Sequence, residues 1–173
     1  EQAWHEALYG EGGFYRRPEG PAGHFATSAQ GGAAELLAGA LLELARRESL
    51  TTIVDVACGR GELLEALAEQ ADPSIRLVGT DVVDRPADLA QRVEWVRSPG
   101  GRHLPDLGSP TGALVLAHEW LDVVPCPVAE VDDDGTLREL HVGPSGAERL
   151  GPPLGDADLE WADAWWPAPR EPG

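Results

Sequence analysis

Residues 53–67 read IVDVACGRGELLEAL. The opening IVDV is apolar and β-branched apart from Asp55, as in a strand buried on both faces. Gly59 and Gly61 then interrupt the run, and Leu63, Leu64 and Leu67 return at helical spacing. Strand, glycine turn and helix in succession form the opening unit of an open α/β sheet. In such sheets ligands bind beyond the carboxyl ends of the strands. Glycine lets the backbone come close to a ligand or take a positive φ, and the departing helix offers unpaired N–H groups.

The flanking sequence continues this alternation. TTIVDVA (51–57), SIRLVGTD (74–81), RVEWVRS (92–98) and GALVLAHE (112–119) read as strands. GELLEALAEQA (61–71) reads as a helix and RPADLAQ (85–91) as a shorter one. That order implies right-handed crossovers and a mostly parallel sheet. Upstream, EQAWHEALY (1–9) predicts a short helix, and AAELLAGALLELARR (33–47) a strongly apolar one that ends on arginines, as the helix dipole favours. Residues 10–32 between them are rich in Gly, Pro and aromatics and read as a long loop, a length that inside a domain is usually functional. Downstream, CPVAEVD and TLRELHV flank an Asp-Gly turn and predict a hairpin. Residues 143–155 read as a Gly/Pro loop. Residues 156–166 read as a helix capped by Asp156 or Asp158 and ended by Pro167 and Pro169. Trp161, Trp165 and Trp166 are expected to pack on the sheet. The segments are 1–48 (helix, loop, helix), 49–143 (the α/β core) and 144–173 (a Pro/Gly/Trp-rich end).

Composition narrows the function. The 173 residues carry 30 acidic against 13 basic side chains, a formal charge of −17. Such a surface argues against nucleic-acid binding, which needs a basic face. No apolar run reaches the length of a membrane span, so no membrane partner is expected. Two cysteines are too few for a disulfide framework and suit a reducing cytoplasm. Every basic residue is arginine, and Lys, Asn and Met are absent, the bias of a GC-rich bacterial genome. The missing initiator Met suggests a trimmed or partial chain.

Asp81 closes the second strand. A carboxylate there can accept hydrogen bonds from both hydroxyls of a ribose. With the glycine turn on the preceding strand end, this points to a nucleoside-type cofactor. A dinucleotide fingerprint needs a third glycine where Leu64 stands. The form present, D-x-A-x-G-x-G, is similar to motif I of S-adenosylmethionine-dependent methyltransferases. The candidate cofactor-binding residues are therefore Asp55, Ala57, Gly59, Gly61, Asp81 and Val82.

Three stretches in the same order sharpen that likeness. GFYRRPEGPAGHFATSAQ (13–30) resembles the G-Y-Y…G-D-F-x-T-S-P-E segment of the MidA-like methyltransferases. That family includes the mitochondrial protein arginine methyltransferase of complex I assembly. VDVACGRGELLEAL resembles its motif I, and ALVLAHEWLDVVPCPVAEV resembles its A-N-E-F-L-D-A-L-P-V segment. The match covers about residues 12–142. It implies a Rossmann-like methyltransferase sheet, mostly parallel with a C-terminal hairpin and lacking the last strands, that uses S-adenosylmethionine on a protein substrate with arginine as leading acceptor. It also implies that Phe25, Thr27 and Ser28 border the cofactor and that Glu119 and Asp122 face the acceptor. The chain departs from the family at His24 (Asp there), Gln30 (Glu), Ala57 (Gly) and His118 (Asn). Family members also continue for roughly another domain's length beyond residue 173.

The HEWLD stretch (118–122) permits another reading, because it begins like the zinc motif H-E-x-x-H. However, LVLA before it reads as a strand, Pro125 and Pro127 forbid a long helix after it, and no other histidines cluster. No metal site is expected. An imidazole titrates near neutrality, which makes His118 a candidate to accept the acceptor's proton, alongside Glu119 and Asp122 as its counter-charges. Two alternatives stand beside the methyltransferase: a non-catalytic S-adenosylmethionine-fold module that only binds a partner, and a metal-dependent hydrolase built on HEWLD.

Overall fold

The computed structural model describes residues 1–19, 21–108 and 111–166. The chain forms two compact units, one spanning His5–Val124 and one comprising Glu1–Trp4 with the chain from Pro125 onward.

The larger unit is an α/β sandwich built on a four-stranded sheet, ordered β3-β2-β1-β4. Its strands are β1 (Thr52–Val56), β2 (Arg76–Asp81), β3 (Val93–Arg97) and β4 (Ala113–Leu116). All neighbours pair in parallel, with Asp55 opposite Gly79 and Val56 opposite Thr80. This is the start of the doubly wound strand order, which reverses beside β1 and opens a crevice there. Every residue of β1 is buried, as a central parallel strand requires.

Helices α2 (Gly31–Arg47) and α3 (Glu62–Gln70) belong to this unit, and α1 (Gln2–Tyr9) runs into it from His5 onward. Helix α2 turns Ala34, Ala38, Leu41 and Ala45 inward, and α3 turns in Leu63, Leu64 and Leu67. These residues form one core with Ile53, Leu77 and Val93 of the sheet. Leu63, Leu64 and Leu67 are essentially inaccessible; burying each contributes about 2–3 kcal/mol. On the opposite face, Val54, Val56 and Val78 pack beneath Leu107 and Trp120, which come from the segments after β3 and β4.

The second unit is a three-stranded antiparallel sheet, β5 (Ala129–Val131), β6 (Leu137–Val142) and β7 (Glu148–Pro153), followed by α4 (Asp156–Trp165). Asp132 holds the hairpin turn by accepting the N–H groups of Asp134 and Thr136. Val131, Leu137 and Ala162 form its core with Ala129, Leu154 and Leu159 packed around them.

Several expectations are corrected. Residues 85–91 form turns rather than a helix. Such a short segment does not nucleate a helix well, and the Arg85 guanidinium donates instead to the carbonyls of Pro86, Leu89 and Ala90. The segment 143–155 is not all loop, because β7 pairs with β6; its prolines are tolerated at a sheet edge. The hairpin grouped with the 49–143 core thus belongs to a separate sheet. Helix α4 is capped by Gly155 with no side-chain cap, and Asp156 and Asp158 occupy its first turn. Trp161 and Trp165 are solvent-exposed instead of packed. Pro167 and Pro169 lie outside the described residues.

Gly79 shows how tightly β2 meets its cover. A Cβ there would lie 2.6 Å from Leu64 Cδ1, 3.0 Å from Cys58 Sγ and 3.1 Å from Trp95 Cε3. Gly79→Ala is therefore expected to destabilise the chain by about 1–3 kcal/mol, read as a lower urea midpoint at unchanged slope.

Candidate functional site

The turn after β1 has a backbone that alternates in and out of the left-handed region. Ala57, Gly59 and Gly61 all have positive φ, at 56°, 63° and 85°. Ala57 is the one with a side chain, which costs about 1–2 kcal/mol. Gly61 caps α3, and a Cβ there would come within 2.8 Å of Leu89 Cδ1. The turn is tied to β2 twice. The Cys58 N–H donates to the Thr80 carbonyl at 3.0 Å. The Gly59 N–H donates to Asp81 Oδ2 at 2.9 Å, while Asp81 Oδ1 accepts from the Val83 N–H at 3.2 Å.

A cavity opens over this turn at the carboxyl ends of the strands. Its floor includes Asp55, Ala57, Cys58, Gly59, Asp81 and Val82. One wall comes from the chain after β4, with His118, Glu119 and Asp122. The other comes from the N-terminal segment, with Tyr9, Tyr15, Phe25 and Thr27. Of the residues the sequence singled out, Ser28 and Gly61 do not line the cavity. Ser28 sits behind the wall, where its Oγ is hydrogen-bonded to His118 Nε2 at 2.8 Å. Gly61 acts on the turn and helix instead. Strand β4 ends at Leu116, earlier than the sequence suggested, and Glu119 in the turn beyond it takes φ 55°. Asp122 belongs to a short 3-10 turn, Leu121–Val123, that has no side-chain cap.

Of the aromatic wall, sequence reasoning named Phe25 and missed Tyr9 and Tyr15, although Tyr15 lies within the quoted GFY. The Tyr9 and Tyr15 rings stack at 5.7 Å with 22° between planes. Phe14 meets Tyr15 edge-on and stacks on Phe25. The Tyr9 hydroxyl donates to the Val123 carbonyl at 2.7 Å. The Arg60 guanidinium donates to the carbonyls of Arg17 and Pro18. These bonds and the Ser28–His118 bond strap the N-terminal segment over the strand ends.

Acidity dominates the electrostatics. Asp55 is 3% exposed, and no described group donates a hydrogen bond to its carboxylate. Burial, then the charges of Asp81 and Glu62, push its pKa up to about 7. Burial also raises Asp81, against the pull of its backbone N–H donors. Tyr9 rises to about 12, first through burial and then through Tyr15, Asp81 and Asp122. Tyr15 rises for the same reasons, with Asp122, Asp81 and Glu119 as the charges it faces. Burial raises Cys58 too, so this thiol stays protonated and inert despite its position. A cavity with unpaired carboxylates on one side and aromatic rings on the other suits a cationic ligand. Among the described residues, no three His, Cys, Asp or Glu side chains gather as a metal-ligand set, and no helix is long and apolar enough to cross a membrane.

No family model matches the chain, and no curated protein is similar to it in sequence. Solved structures do resemble it. A crystal structure of an uncharacterized COG1565 superfamily protein from Burkholderia thailandensis superposes with a TM-score of 0.58 at 19% identity, over 95% of this chain and 46% of that one. A second COG1565 superfamily member from the same organism, described as a candidate methyl transferase and bound to S-adenosyl-homocysteine, gives a TM-score of 0.60 at 20% identity, over 95% of this chain and 48% of that one. The chain thus has the fold of these proteins and spans less than half their length.

Asp55 also sets a pH dependence. Its pKa is raised on folding, so the folded state holds the proton more tightly than the unfolded one. Unfolding therefore releases a proton between about pH 4 and pH 7, and stability falls as pH rises through that window. A shift of this size corresponds to an upper bound on the order of 4 kcal/mol above pH 7. Asp55→Asn is expected to raise the melting temperature at about pH 8 and to flatten the stability profile between about pH 4 and pH 7, leaving the part due to Asp81. A melting series across that range checks this, and an unaltered slope would refute it.

Proposed function

We propose that this chain forms an S-adenosylmethionine-dependent methyltransferase domain. The observation that carries the reading is the buried Asp55 carboxylate, which has no described donor and lines the cavity under a left-handed turn held by Asp81. A buried ionised carboxylate without a partner is costly. A ligand ammonium or sulfonium would supply the missing positive charge. Asp81 fits a ribose as well as the turn: its carboxylate lines the cavity while it accepts backbone N–H groups that include those of Gly59 and Val83. The fold likeness to a protein crystallised with S-adenosyl-homocysteine supports the same cofactor.

Bound there, S-adenosylmethionine would supply a methyl group on a positively charged sulfur, open to in-line displacement. The chain's part is to position the acceptor and manage its charge. Glu119 and Asp122 would pair with a cationic acceptor nitrogen and orient it. His118 would receive the proton that nitrogen gives up, with Ser28 fixing the imidazole from behind. We further infer a protein substrate with an arginine guanidinium as acceptor, from the resemblance to MidA-like methyltransferases, and a bacterial cytoplasmic setting, in keeping with the free Cys58 and Cys126. A second reading, a non-catalytic cofactor-binding module, draws on the same bond: with Nε2 of His118 engaged by Ser28, only Nδ1 is left to take a proton.

Calorimetry with S-adenosylmethionine and S-adenosyl-homocysteine tests the cofactor. Binding is expected, and Asp81→Ala should weaken it by about 10–100-fold, the range for hydrogen bonds to a charged group. A folded chain that binds neither compound would sink the proposal. Binding without methyl transfer to arginine-bearing proteins would favour the non-catalytic module.

A further inference from the structure

We propose that the outer face of α4, built on Trp161 and Trp165, is a docking surface for a basic polypeptide segment. Helix α4 is amphipathic in an unusual sense. Of its residues only Ala162 is buried and only Leu159 half-buried, and both pack on the core with Val131 and Leu137. Trp161 and Trp165 lie one helical turn apart on the other side, 65% and 74% exposed. Ala157 and Ala164, both exposed, lie next to them on the helix surface. Two large aromatic side chains left open this way are rare on a helix whose inner face is already satisfied, and they mark a contact surface.

The charge around them selects the occupant. The stretch DADLEWADAWW (156–166) carries Asp156, Asp158, Glu160 and Asp163 and no basic residue. On the helical wheel Asp158 borders the Trp161–Trp165 face, whereas Glu160 lies about 100° round the helix from Trp161, beyond Ala157 and Ala164. Indole faces rimmed by carboxylates bind guanidinium and ammonium groups by stacking and ion pairing together. A second copy of the chain would bring its own acidic helix against this one, and like charges oppose that contact. An anionic lipid surface is repelled for the same reason.

The test is binding of a fluorescein-labelled dodecapeptide of alternating Arg and Gly to the full chain at near-physiological ionic strength, with the Glu-Gly peptide as control. Saturable binding of the arginine peptide alone is expected. Trp161→Ala/Trp165→Ala should weaken it about tenfold with the net charge unchanged. Asp158→Asn, which keeps both indoles, should weaken it as well; it tests the rim if the alanine variant loses helicity. Binding by both variants that is undiminished from wild type would overturn the proposal and assign the affinity to the general acidic field. No binding by the wild-type chain would overturn it too. So would a self-associated species in sedimentation that the tryptophan substitutions dissolve.

Discussion

The hydrogen bond from the Gly59 N–H to the Asp81 carboxylate fastens two strand ends together, and the site depends on it. It joins the turn after β1 to the last residue of β2. With the turn held, α3 leaves at an angle that seats Leu63, Leu64 and Leu67 against α2 and the sheet. The same bond keeps the turn's left-handed residues from relaxing, which matters most at Ala57, where the methyl group adds strain. Asp81 is thus a structural residue, whatever the ribose contact proposed for it adds.

Holding Asp81 under the turn has an electrostatic consequence. It sits close enough to the buried Asp55 to raise that residue's pKa, and both carboxylates resist ionisation. A fold selected for stability alone would place a neutral side chain at position 55. The cost makes sense for a site that receives positive charge, because the ligand relieves the repulsion as it binds. Binding and stability are therefore opposed at one residue. This is the usual arrangement of a functional site, where local rules of folding are broken and compensated elsewhere.

Much of the fold was legible in the sequence. The four strands and helix α3 follow from β-branched runs, glycine punctuation and leucine spacing, local signals that the sheet reinforces. The failures share a cause. Residues 85–91 have a helical composition, but the segment is short and the Glu65 carboxylate of α3 takes the Ala90 N–H. Strand β7 contains Gly151, Pro152 and Pro153, which locally argue for a loop, yet β6 offers it a partner. Both outcomes depend on partners that are not sequence neighbours. The site divides in the same way. Asp55, Gly59 and Asp81 stand at positions set by strand ends and were readable from spacing. Tyr9 and Tyr15 were not, because only the folded N-terminal strap brings them over the sheet. Ser28 was read as lining the cavity. It lies behind His118, a distinction between facing a ligand and holding the side chain that does.

The arginines explain how so acidic a chain leaves its cavity without cations. Arg85 and Arg92 spend their donors on backbone carbonyls; Arg92 alone reaches those of Ala68, Ala71, Asp72 and Ile75. Arg46, Arg76, Arg97 and Arg138 pair with Glu43, Glu94, Asp84 and Asp132, all away from the cavity. Arg60 lines the cavity but points its guanidinium at the carbonyls of Arg17 and Pro18. A planar fork of five donors suits this bracing of irregular backbone, which a lysine ammonium would do less well. As a result, among the described residues, Asp55, Asp81, Glu119 and Asp122 have no guanidinium beside them. The acidity of the sequence is therefore uneven in its meaning: on the surface it is solvated or paired, whereas in the cavity, among the described residues, no guanidinium offsets it.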